Sequence, residues 1–102
     1  TYAGQQKAKP DAKSLARRLG PGWKPRVWEN LGWHYDVQKG YMSVKAYVRR
    51  GEPKSYYTMF NVPGHQKVSA HHATPQAAVA EAIALMEEAK QVIVAALATV
   101  KR

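Results

Sequence analysis

Apolar and polar residues alternate in three successive rhythms along this chain, and each rhythm predicts a different element. Ala12, Leu15, Ala16 and Leu19 recur at steps of three and four, which sets one apolar stripe on a short first helix. Asp11 is a suitable N-cap for it, because a carboxylate there accepts a hydrogen bond from a free N–H of the first turn. Gly20-Pro21-Gly22 stops it. The polar stretch from Thr1 to Pro10 reads as a flexible leader, with one domain over residues 11–102. From Trp23 to Val62 the period falls to two. Arg26 to Glu29 is a short strand or an extended lead-in. Trp33, Tyr35 and Val37 alternate with His34, Asp36 and Gln38, and Met42, Val44, Ala46 and Val48 alternate with Tyr41, Ser43, Lys45, Tyr47 and Arg49. A third strand, Ser55 to Val62, places Tyr56, Thr58, Phe60 and Val62 on one side and Tyr57, Met59 and Asn61 on the other. Lys67 to His71 either adds a short edge strand or crosses back over the sheet.

The third rhythm is helical again. Thr74-Pro75 is a strong opening, a capping hydroxyl followed by a ring whose missing N–H costs nothing in the first turn. Val79, Ala82, Ile83, Met86, Ile93 and Leu97 then centre an apolar face that runs to about Ala98, with Glu81, Glu88 and Gln91 opposite. The expected class is α+β: a three-stranded antiparallel sheet, four-stranded with the extra edge, one face covered by the long C-terminal helix, plus the short N-terminal helix. Met42, Val44, Ala46 and Val48 are expected beneath the long helix. His34, Asp36, Tyr41, Ser43, Lys45, Tyr47, Arg49 and Tyr57 are expected on the open face.

Composition narrows the classes of function. The chain has 102 residues and a formal charge of +9, and its whole excess lies in residues 1–72, with thirteen Lys and Arg against four Asp and Glu. Residues 73–102 hold three of each sign and are neutral. The neutral segment reads as scaffold and the remainder as the charged surface. With no cysteine, thiolate nucleophiles and the common structural zinc cages are excluded, and a reducing, cytoplasmic setting is expected. No apolar run approaches the ~20 residues that span a membrane, so no membrane partner is expected.

The candidate site is the open sheet face. Lys45, Tyr47, Arg49 and Tyr57 interleave cations with rings, the mixture that holds phosphates and packs against bases or sugars. Lys13 and Arg17 on the first helix would hold backbone phosphates, and Arg50 would project from the hairpin tip. The bland reading is that Tyr and Lys suit any solvent-facing strand, and that helix cations only solubilise. No cofactor and no metal are expected, because the four histidines show no ligand spacing such as H-x-x-x-H. No catalytic residues are assigned: the carboxylates form no pair on one element, and no serine sits in a nucleophile elbow.

The α–β–β–β–α order resembles the double-stranded-RNA-binding domain. That family opens its second helix with a Lys-Lys-x-Ala-Lys cluster, where this chain has Thr74-Pro75-Gln76-Ala77-Ala78-Val79. From Trp33 onward the pattern is also similar to the three-stranded-sheet DNA-binding domains of plant transcription factors and some phage integrase arms. Those lay the sheet face in the major groove, which would place Lys45, Tyr47, Arg49 and Tyr57 there. A basic, cysteine-free domain of this size suits a bacterial or phage accessory protein.

These patterns predict a non-catalytic nucleic-acid-binding domain, DNA ahead of RNA. The competing expectation is a protein-interaction or inhibitor domain that engages an acidic protein surface, or a homodimer joined through the C-terminal helix. An exposed Trp28 and a large uncharged patch from Val92 to Leu97 would favour the competitor, and a continuous positive band across the sheet would favour nucleic acid.

Overall fold

The computed structural model describes residues 2–29, 33–48 and 51–101. The order is α1 (Tyr2–Leu19), β1 (Lys24–Glu29), β2 (Trp33–Lys39), β3 (Met42–Tyr47), β4 (Ser55–Val62), β5 (His65–Val68) and α2 (Pro75–Val100). The strands form one five-stranded sheet in the order β1-β2-β3-β4-β5, every neighbouring pair antiparallel. The expected sheet of three or four strands is thus corrected to five. The two missed or undecided strands sit at the edges. β1 carries Pro25, which only an edge tolerates well, and β5 is four residues long with no apolar alternation. A two-residue turn at Pro63-Gly64 joins β4 to β5, closed by the Val62–His65 pair. Gly64 takes φ +80° there, a conformation that Gly adopts at no steric cost after the preset φ of Pro63.

The first helix also exceeds its expected bounds. It begins at Tyr2 and runs through Pro10, so Asp11 lies inside it rather than at its cap. The reason is tertiary: Ala8 is buried and continues the stripe of Ala12, Leu15 and Ala16, all buried. Pro10 removes one N–H bond, but it sits on the exposed side where water can serve the freed carbonyl. Gly20 ends the helix at φ +106°, its N–H donating to the Ala16 carbonyl.

Both helices lie on the same face of the sheet, α1 over β1 and β2, α2 over β4, β5 and β3. The cover expected from the long helix alone is therefore shared. Leu15, Ala16, Val37, Val44, Tyr56 and Ala78 form the buried cluster, with Leu19, Trp23, Tyr35, Ala46 and Val79 packed at its margin. Val48, expected under the helix, lies past the end of β3 and is exposed. Ala78 and Ala82 bring α2 close to the sheet, and Thr74 caps it by accepting from the Ala77 N–H. The molecule extends 60 × 27 × 23 Å.

Candidate functional site

The uncovered sheet face follows from the register. Arg26 pairs with Asp36, Asp36 with Lys45, and Lys45 with Tyr57, so these four form one row across β1 to β4. Trp28, His34, Tyr47 and Ser55 belong to the neighbouring row on that face. Asp36 is 0% exposed although no helix covers it. The guanidinium of Arg26 lies over it and donates from Nε to Oδ1 at 3.0 Å and from Nη2 to Oδ2 at 2.9 Å. Nη2 also donates to the Ser43 hydroxyl at 3.2 Å, and the same group stacks 4.5 Å from the Trp28 ring centroid. A bidentate, stacked arginine of this kind is fixed in place, and its charge is spent within the fold.

The two tyrosines expected to stack on bases are engaged as well. The chain after β5 folds back beside β4, bridging Tyr56 to His72, and this lays His71 on the open face. The His71 ring meets Tyr57 at 4.8 Å and Tyr47 edge-on at 5.0 Å, and its Nδ1 lies 3.1 Å from the Ser55 hydroxyl. Burial, together with the negative charge of Asp36, pushes the Tyr57 phenol above its ordinary range. Lys45 is half-buried between Asp36 and Tyr57.

The other expected cations lie elsewhere. Lys13 and Arg17 are exposed on the outer side of α1, and α1 covers the opposite face of the sheet from Lys45. A layer of helix and sheet on the order of 20 Å thick separates the two groups, so no single polymer strand can touch both in one straight track. Arg49 and Arg50 lie outside the described residues. Arg18 donates to the Tyr56 hydroxyl at 3.0 Å and lies 5.5 Å from that ring, and Lys54 donates to the Tyr35 hydroxyl at 3.4 Å. The expectation of a DNA- or RNA-binding wall is therefore overturned. So is its variant for an acidic protein surface, which needs the same cations gathered. Among the described residues the surplus charge is divided between faces and partly consumed in internal contacts, and it does not form a basic patch.

Sequence reasoning missed a second anchor. His72 points to the helix side, where its Nε2 lies 2.8 Å from Glu81 Oε1, and Glu81 Oε2 accepts the Ala70 N–H at 2.9 Å. This ties the returning segment to α2. The only early sign was His72 standing just ahead of Thr74. Among the described residues no group of three or more His, Cys, Asp or Glu is placed to hold a metal ion. Among them, too, no helix is long and apolar enough to cross a membrane.

The large side chains left most exposed are mainly apolar. Every residue from Lys90 to Lys101 is exposed, because α2 has run past the sheet. At 100° per residue, the face that buries Ala78 and Ala82 continues as Ala89, Ile93, Ala96 and Val100. Ile93 is 45% exposed, Leu97 50% and Val100 81%, with Val92 and Val94 also open. Further back on the same helix Ile83 is half exposed beside an apolar recess of about 350 Å³ lined by Trp23, Lys39, Met42, Phe60 and Val79. Trp28 is 43% exposed under its arginine.

No protein-family model, no curated protein and no solved structure matches this chain. The architecture is a small α+β domain with helices flanking an antiparallel sheet, a layout shared by many small nucleic-acid- and protein-binding folds. The α–β–β–β–α correspondence does not extend to it, since two further strands flank the expected three.

Proposed function

We propose that this is a non-catalytic protein-interaction domain whose contact element is the projecting end of α2, and whose partner is another apolar-faced helix. The carrying observation is the continuity of one helical face. Where the sheet lies beneath it, this face is buried at Ala78 and Ala82; beyond the sheet the same face meets water through Ile93 and Val100, with the exposed Leu97 at its margin. A helix end of this length is marginal alone in water. An apolar stripe held out on a rigid stem is the usual shape of a helix that docks on a helix. The two features that favour protein contact, an exposed Trp28 and an uncharged patch over Val92 to Leu97, are both present. They lie on different parts of the molecule, and the helix end is the larger.

The test is sedimentation velocity on the wild type and on Ile93→Glu/Leu97→Glu, each alone at rising concentration and each with a synthetic amphipathic peptide carrying leucines at heptad spacing. The wild type gains mass in at least one arm and the doubly charged variant in neither, with unchanged far-UV circular dichroism in the unassociated state. Identical behaviour of the two proteins in both arms would remove the reading.

A further inference from the structure

We infer that the helix seated on the projecting end of α2 is the same end of a second copy of this chain, lying antiparallel. This rests on the protein-interaction reading above and adds the identity and direction of the partner. Ile83, Met86, Lys90, Ile93, Leu97 and Val100 follow alternating steps of three and four, the spacing of a coiled-coil seam. Along one flank of that seam, at seven-residue steps, stand Glu87, Val94 and Lys101: an acid, a neutral residue and a base in order. All three are exposed.

That order decides the direction. In an antiparallel pair, matching flanks meet, so Glu87 of each copy faces Lys101 of the other and Val94 faces Val94. In a parallel pair opposite flanks meet, so Glu87 and Lys101 of one copy face Ala82 and Ala96 of the other and find no counter-charge, while Lys90 comes level with Lys90 in the seam, which is unfavourable. Charge on the bodies acts the same way. The excess of nine positive charges lies in residues 1–72, so parallel pairing sets two cationic bodies side by side, while antiparallel pairing sends them to opposite ends.

The length fits as well. Residues 90–101 are exposed on every side, and Ala89 is the last part-buried position. That overhang is about 18 Å long at 1.5 Å per residue. Two such ends overlap completely when Lys101 of one reaches Glu87 of the other, which is where each body begins. Ile93 and Leu97 then fill the centre of the contact, Val100 packs over the stem of Lys90, and no sheet is displaced. So short a seam places the dimer among weak, concentration-dependent associations.

The chain contains no cysteine, so single cysteines map the contact directly. Val94→Cys and Val100→Cys are oxidised at high protein concentration and read on non-reducing gels. Val94→Cys is expected to give covalent dimer several-fold more readily than Val100→Cys. In parallel, Glu87→Lys weakens dimerisation in sedimentation equilibrium by several-fold, and Glu87→Lys/Lys101→Glu restores it, since the reversed pair again attracts. Cross-linking at Val100 equal to or above that at Val94 overturns the antiparallel direction but leaves the contact surface in place. Mass gain with the amphipathic peptide, and none alone, overturns the second copy as partner yet preserves the protein-interaction reading. No mass gain in either arm defeats both.

Discussion

Two parts of this molecule are left uncovered by its own fold, the outer face of the sheet and the far end of α2, and they meet water in opposite ways. On the sheet, polar groups are turned on one another: Arg26 on Asp36 and Ser43, His71 on Ser55, Tyr47 and Tyr57. On the helix end, Ile93, Leu97 and Val100 have surface that none of the described residues covers. The lesson is that exposure alone does not mark a site. What marks it is an interaction the fold has left unmade, and by that measure the charged face is nearly complete while the apolar end is not.

The sharpest way to break this contrast is to remove one partner from each region. Asp36 is fully buried and accepts two bonds from Arg26, so Asp36→Ala leaves a half-buried guanidinium without its counter-ion. The expected loss is about 2–4 kcal/mol of folding stability, read by urea denaturation at neutral pH. Leu97→Glu, by contrast, is expected to change the stability of the unassociated chain by less than about 0.5 kcal/mol. If the two substitutions cost the same, then either the sheet network is not closed or the helix end is packed on its own body, and the comparison fails.

The same contrast explains how much of this structure was legible in the sequence. The periods of three-to-four and two located α2 and β2 to β4, because β2 to β4 and the first half of α2 each turn an apolar face onto the core, and the second half of α2 keeps the same apolar period. β5 has no apolar alternation to detect, and the first turns of α1 are helical because Ala8 finds a tertiary contact that Pro10 and Asp11 gave no reason to expect. Alternation correctly set Lys45, Tyr47 and Tyr57 on one face. It did not show that Arg26 closes over Asp36, which depends on strand register, nor that the aperiodic return segment carries His71 onto the tyrosines. Net charge counts cations and is silent on what each one touches.

A smaller effect is expected beneath α2. Thr58 is 0% exposed on the helix-covered face, opposite Val44, and its buried hydroxyl has no hydrogen-bond partner among the described residues. It is the polar counterpart of the bare helix end, a need the fold has not met. Thr58→Val keeps the shape and removes that need, so stability should rise by about 1 kcal/mol. A shift of the urea midpoint upward at constant slope checks it. A loss instead would mean that the hydroxyl has a partner after all, such as an enclosed water.

The smallest effect concerns the anchor between the return segment and α2. The Ala70 N–H and then His72 hold the Glu81 carboxyl below its ordinary value of 4.5. A carboxyl with a lowered folded-state value contributes stability that is fully present above its unfolded value and is lost as pH falls through the folded one. The acid limb below pH 4.5 should therefore carry a small loss of stability that Glu81→Gln does not show. The amide of that variant retains an oxygen for the Ala70 N–H, so the difference isolates the charge from the hydrogen bond. Urea midpoints taken between about pH 3 and pH 7 for both proteins supply the measurement. Parallel curves would show that the charge of the anchor is neutral in effect, and that the returning segment is held by its other contacts, the Tyr56–His72 bridge and the His71 ring among them. Curves that converge in acid would show that the ionised carboxylate stabilises the first half of the helix, where the fold completes its own contacts, while the second half is left for a partner.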